Sequence, residues 1–174
     1  MIDILRNRRS IRQFTSQPVS SSDIDILKEA LLRSPTSRNF MPWQFIFVDD
    51  KILLEGISEC KKSGSSLIKG APLAVVVCAD ESESDVWIED CSIASIILQL
   101  TAQTLGLGSC WVQVRSRYNN DGLESEQHVS RILKIPAGVR VESIIAIGYG
   151  AETKAPIDKC SLAKDKFHDN QWGR

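Results

Sequence analysis

The sequence is poor in several things at once, and each shortage excludes a class of function. Its 21 basic and 22 acidic side chains leave a formal net charge of −1. That rules out the broad positive field that holds nucleic acid or an anionic membrane, although a local anion pocket stays open. No apolar run approaches the ~18–20 residues of a membrane span. The start, "MIDILRNRRS", is broken by charge too early for an export signal, so a cytoplasmic location is expected. Histidine occurs only at positions 128 and 168, far apart and without ligand-like neighbours, so no zinc site is expected. The five cysteines, at 60, 78, 91, 110 and 160, are odd in number and form no C-x-x-C pair. Runs such as "VVVCAD" and "GSCWV" suit buried, reduced thiols, so no structural disulfide is expected. No serine–histidine or paired-carboxylate arrangement offers a nucleophile or an acid–base pair.

What is present reads as one domain over residues 1–174, without repeats or linkers. A short helix is expected over 2–7. A firmer one begins in "SSSDIDILKEALLRS", where Ser22 is a candidate cap and Ile24, Leu27, Ala30 and Leu31 recur at helical spacing. Strands are expected at 43–48, 71–79, 109–115 and 140–148, and helices at 51–63, 85–105 and 123–134. The 85–105 helix is apolar on nearly every face, which requires cover on every face and points to a subunit interface. "GLG" (106–108) stops it. Glu89 and Asp90 favour its N-terminal dipole. The last ~25 residues are polar and irregular. A Rossmann or flavodoxin domain would carry its phosphate loop after the first strand, and here the basic candidate precedes every strand.

Three stretches carry candidate chemistry. "RRSIRQF" places Arg8, Arg9 and Arg12, with the Ser10 hydroxyl, in five positions; guanidinium forks suit phosphate oxygens. Three charge-assisted bonds at roughly 1.5–3 kcal/mol each would reach roughly 5–9 kcal/mol, the scale of micromolar binding. A charged turn after a short helix explains the same residues. "SPTSRNFMPWQF" offers Thr36, Ser37 and Asn39 to a polyol or heterocycle edge, or is an ordinary helix-to-strand connection. "GLGSCWVQV" has glycines that allow close backbone approach and strand amides that could face a planar ligand, or is a helix stop.

Together with "IIAIGYGAETKAP", these stretches resemble the FMN-dependent nitroreductase family in order and spacing, over about residues 4–157. "KAPIDK…FHDNQW" is similar to the tail of compact bacterial members. The resemblance implies an α+β fold: a mainly antiparallel central sheet flanked by helices, in an intertwined homodimer with FMN bound between subunits. Residues 150–174 would be a C-terminal extension packing on the partner subunit. Carried across, Arg8, Arg9 and Ser10 match phosphate and ribityl contacts, and Arg12 a basic position nearby. Pro35, Thr36, Ser37, Asn39 and Met41 match the loop that reaches the flavin of the other subunit. Met41 stands where many members have glutamine, which removes a polar contact. Trp111, Val112 and Gln113 match the strand beside the isoalloxazine, and Lys154 a C-terminal basic residue at the phosphate. Ile97 replaces an asparagine common in the family. The implied activity is ping-pong transfer from NAD(P)H through FMN to nitroaromatics, quinones or similar small-molecule acceptors, with no catalytic side chain required. Two alternatives share the cofactor: a flavoenzyme of this fold with another donor or reaction, and a non-catalytic FMN-binding dimer. The compact 114–122 segment, with little length for a substrate lid, keeps the second in view.

Overall fold

The computed structural model describes residues 1–173; Arg174 lies outside them. Among the described residues, five α-helices and four strands alternate after an opening helical pair. They are α1 (Ile2–Asn7), α2 (Ser21–Leu32), β1 (Trp43–Val48), α3 (Lys51–Ser58), β2 (Leu73–Asp80), α4 (Trp87–Thr104), β3 (Gly108–Gln113), α5 (Ser125–Leu133) and β4 (Val139–Gly148). The strands form one sheet in the order β1-β2-β4-β3, antiparallel at every pairing. The fold is the expected α+β class, with helices packed on both faces of the sheet.

β2 is buried along nearly its whole length because both of its faces are covered. Leu73, Val75, Val77 and Ala79 pack with α2 and α4 residues, whereas Ala74, Val76 and Cys78 pack with α3 and α5 residues. β4 alternates in the same way until Glu142. Val77 pairs with Ser143 but Cys78 pairs with Val141, so Glu142 has no partner across the ladder. This bulge reverses the phase of the strand, which is why Val141 and Ile144 share one face despite their odd spacing. The Glu142 carbonyl accepts both Val114 N–H (3.2 Å) and Arg115 N–H (3.1 Å), which ends β3 at Gln113, two residues earlier than the sequence predicts.

Two further expectations are corrected. The α2 cap is Ser20, whose hydroxyl accepts from Asp23 N–H at 3.1 Å; Ser22 lies inside the helix and its hydroxyl meets that of Ser20. Helix α3 ends at Ser58, well short of 63, because the Ser65 hydroxyl donates to the Ser58 carbonyl (2.6 Å) and Lys62 N–H turns away to Tyr118 O. A tight 3-10 turn over Ser66–Gly70 then leads into β2. Within one chain α4 is not covered all round, which leaves a face for the expected subunit interface. Cys91, Ala94, Leu98 and Ala102 form its core stripe, but Ile93 and Ile96 are each 38% exposed, with Ile97 and Leu100 half-buried beside them.

Among the described residues, no helix is long and apolar enough to cross a membrane. Replacing Leu98, fully buried between α4 and the sheet, by alanine is expected to lower the unfolding free energy by about 2–5 kcal/mol. Urea denaturation of the folded variant measures it.

Candidate functional site

β3 is the edge strand, and its pairing to β4 determines what the edge offers. Even-numbered residues bond to β4, since Val114 N–H reaches Glu142 O; odd-numbered ones turn outward, since Ser109 O accepts Ile11 N–H at 3.0 Å. Ser10 bridges Ser109 in parallel, so the basic segment adds a short strand to this edge. The added strand stops there. Among the described residues, the outward N–H groups of Trp111 and Gln113 therefore have no backbone partner. They form a row of free donors beside the arginines.

Gly108 permits this docking: a Cβ there would lie 2.9 Å from the Ile11 Cβ. The sequence reading gave the glycines to ligand approach, whereas what approaches Gly108 is Ile11 of the protein's own N-terminal segment. Gly106, at φ +74°, makes the turn out of α4.

The far end of the chain completes the cluster. Lys154 donates to the Ser10 carbonyl at 3.0 Å and pairs with Glu152 at 3.3 Å. Glu152 Oε1 accepts the N–H groups of Arg12 (2.5 Å) and Gln13 (3.3 Å). Arg12 N–H above all, with Lys154 adding to it, holds the Glu152 carboxyl below the usual carboxylate range. Arg9 donates to the Ala155 carbonyl. A hollow of about 260 Å³ opens here, lined by Arg9, Ile11, Gln103, Gly108 and Lys154 among others. Among the described residues, Arg8, Arg9 and Arg12 have no carboxylate partner, whereas Arg140 is ion-paired to both Glu81 and Glu126. Burial pushes the Cys110 thiol up, while Arg12, Lys154 and Arg8 pull it back, which marks these three cations as neighbours of β3. Arg9 lines this hollow together with Lys154 and Glu152, whereas Arg8 and Arg12 are not among its lining; guanidinium groups without a carboxylate partner suit an anionic group better than a solvated turn does.

The second stretch lies elsewhere. Ser37 N–H donates to Asp90 Oδ1 at 2.9 Å, in the first turn of α4, and Ser84 donates to Asp90 Oδ2 at 3.2 Å. Asp90 is only 2% exposed. The dipole role expected for it is thus secondary: it anchors the loop. Thr36 Oγ1 accepts Met41 N–H at 3.0 Å, and Arg38, Asn39 and Met41 adopt φ of 50°, 58° and 52°. Such backbone is strained for these side chains and persists only where its surroundings hold it. Pro35, Asn39 and Met41 are exposed, with Thr36 and Ser37 half-buried. This loop and the arginine cluster sit at opposite ends of α4, separated by roughly 20 Å along a helix rising ~1.5 Å per residue. One chain does not bring them together.

A model described as "Nitroreductase family" matches residues 5–64 and 55–149. The chain belongs to the nitroreductase family. It is 43% identical to an FMN-dependent nitroreductase from Clostridium difficile R20291, covers 99% of its own length and 100% of that chain, and superposes with a TM-score of 0.97. It is 34% identical over 175 residues to a Methanothermobacter thermautotrophicus protein provisionally named an NADH dehydrogenase/NAD(P)H nitroreductase, covering 99% of this chain and 87% of that one. It is 28% identical to the FMN reductase (NAD(P)H) of Bacillus subtilis, over 89% of this chain and 68% of the relative.

Two side chains at this site escaped the sequence reading. Glu152 stands in the quoted "GAETKAP", but nothing local shows that it reaches back to Arg12. Glu142 lies in a mostly apolar strand and is 4% exposed. An acid inside "VESIIAIG" was the available signal. Trp43, given to the core, is buried there and stacks on Phe45 at 5.2 Å. Trp111 is half-buried, its indole N–H bonded to Gln113 Oε1 at 3.0 Å.

All five cysteines are free and four are buried. Burial raises the thiols of Cys60, Cys78 and Cys91, that of Cys78 to about 12. Iodoacetamide on the native protein should therefore leave Cys60, Cys78 and Cys91 unmodified and label exposed Cys160, as peptide mass spectrometry would read. Asp90→Ala should cost about 1–3 kcal/mol through the unpartnered Ser37 and Ser84 donors. It should also speed hydrogen exchange at the Ser37 amide.

Proposed function

We propose that the protein is an NAD(P)H-dependent FMN oxidoreductase of the nitroreductase type, acting on nitroaromatic, quinone or similar small-molecule acceptors by a ping-pong sequence. The observation that carries this reading is the free β3 edge beside three unpaired arginines. A phosphate and a planar heterocycle with hydrogen-bond acceptors need those two donor sets side by side. When bound, FMN supplies the redox chemistry, taking a hydride from NADH or NADPH at its N5 and passing reducing equivalents to the acceptor.

The chain's own residues supply binding and electrostatics. Arg8, Arg9 and Arg12, with Lys154, would hold the phosphate, and Ser10 the phosphate or ribityl chain. The N–H groups of Trp111 and Gln113 would meet the heterocycle edge, with Val112 buried behind them to keep the strand flat against the core. Positive charge gathered at this edge favours an anionic reduced ring over a neutral oxidised one.

Pro35, Thr36, Ser37, Asn39 and Met41 would complete the site from a second copy. Two further features favour a homodimer. Ile93, Ile96, Ile97 and Leu100 recur at i, i+3, i+4 and i+7, an uncovered apolar stripe on α4. The chain end also holds Phe167 and Trp172 at 81% and 90% exposure, which a lone domain leaves unexplained. Residues 150–173 then read as an extension of the single domain that packs on the partner.

The test is the visible absorption spectrum after FMN reconstitution and desalting. Retained oxidised flavin near one per chain supports the reading; flavin-free folded protein overturns it. Arg8→Ala and Arg12→Ala should each lose flavin retention without unfolding, as parallel spectra and circular dichroism would report. Full occupancy in both would remove the phosphate assignment.

A further inference from the structure

The bulge in β4 carries a group that the proposed chemistry does not use. Glu142 is 4% exposed, and its Oε2 is one of two buried side-chain atoms without a hydrogen-bond partner among the described residues. A buried acid with an unsatisfied oxygen costs stability, and an apolar residue of similar size in its place is often neutral or favourable. What Glu142 does locally is orient one amide. Its Oε1 accepts from Gln113 Nε2 at 3.2 Å. The same Nε2 lies 3.3 Å from the Arg115 carbonyl and 3.4 Å from the Glu142 carbonyl. With acceptors on that side, the amide oxygen of Gln113 must turn the other way, where it accepts the Trp111 indole N–H at 3.0 Å. A carboxyl in the second strand of the sheet edge thus determines which way the side chains of the outermost strand face.

We propose that Glu142 is a positioning residue: through the Gln113 amide it holds the Trp111 indole, and with it the β3 edge that receives the flavin ring. The inference rests on the flavin reading for its consequence in catalysis, but the chain Glu142–Gln113–Trp111 stands on geometry alone. The bulge in the β2–β4 ladder leaves Glu142 without a partner on β2, while its carbonyl still holds the Val114 and Arg115 N–H groups at the end of β3. The charges facing Glu142 are Arg115 beyond β3, Glu126 on α5 and Glu89 on α4. Burial, the largest influence, pushes its carboxyl above the ordinary 4.5, with Gln113 and Arg115 opposing.

Two measurements separate positioning from mere structure. In tryptophan-labelled protein, the indole N–H resonance of Trp111, assigned with Trp111→Phe, should shift and exchange severalfold faster in Glu142→Leu. It should stay near its native position in Glu142→Gln, whose carbonyl can still accept from Gln113. Gln113→Leu should reproduce the Glu142→Leu change, and the double variant should add nothing to it. An unchanged indole in Glu142→Leu, or additive effects, overturns the proposal; should that variant not fold, Gln113→Leu and Glu142→Gln decide it by the same resonance. At full flavin occupancy, Glu142→Leu should lose kcat severalfold while Glu142→Gln retains it; equal kcat per bound flavin in both overturns the catalytic consequence. A wild type that never retains FMN overturns the flavin reading alone and leaves the indole result standing. The pH dependence of stability gives a third readout. A raised native carboxyl binds its proton more tightly than the unfolded chain does, so its contribution is full below 4.5 and is lost as pH rises through the native value. Glu142→Gln should remove that decline, and an unaltered stability–pH curve would show that folding does not raise the Glu142 carboxyl.

Discussion

The site depends on one constraint, the half-finished edge of β3. An edge strand presents alternate N–H and C=O groups that nothing in the sheet satisfies, and proteins ordinarily cover or blunt them. Here Ser10 and Ile11 cover the Ser109 end of the edge and then leave it. The arginines are carried in by that covering strand, so the same pairing that closes part of the edge places positive charge next to the part left open. Gly108 lets the pairing form at contact distance, and Lys154 and Glu152 tie it from the other end of the chain. Had the N-terminal segment run two residues further along β3, it would have consumed the donors of Trp111 and Gln113.

The second constraint is the length of α4. It packs its core stripe, Cys91, Ala94, Leu98 and Ala102, onto the sheet, with Ser95 and Gln99 bonded to Ser143 and Ser109. Its first turn anchors the Ser37 loop through Asp90, and the turn after its last residue leads into β3. The helix therefore works as a spacer that keeps the Ser37 loop and the basic segment apart within one chain, and in the homodimer proposed above the loop would come from the second copy.

Much of this was legible in the sequence. β1 was readable to the residue because Pro42 and the Asp49-Asp50 pair bracket six strand-forming residues. The buried character of β2 followed from an unbroken apolar run. The boundaries that failed, at α2, α3 and β3, were decided by side chains far from the pattern: a Ser20 hydroxyl, a Ser65 hydroxyl, a Glu142 carbonyl. Periodicity records which faces are apolar, and it is silent on where a single hydrogen bond ends an element.

The α+β class came with the family resemblance. By itself, the sequence determined the order of helices and strands, the absence of a charge field suited to nucleic acid, and the residues of the basic segment, the Ser37 loop and the β3 strand as candidates. These are properties of composition and local order, which short-range physics expresses directly. Only the tertiary structure decided that Lys154 and Glu152 return to Arg12, that Asp90 anchors the loop rather than only favouring a helix end, and that Glu142 lies buried behind Gln113. Each of these joins residues from 29 to 144 positions apart. Contacts across such separations form only when sheet order and register are already settled, and no local pattern encodes them.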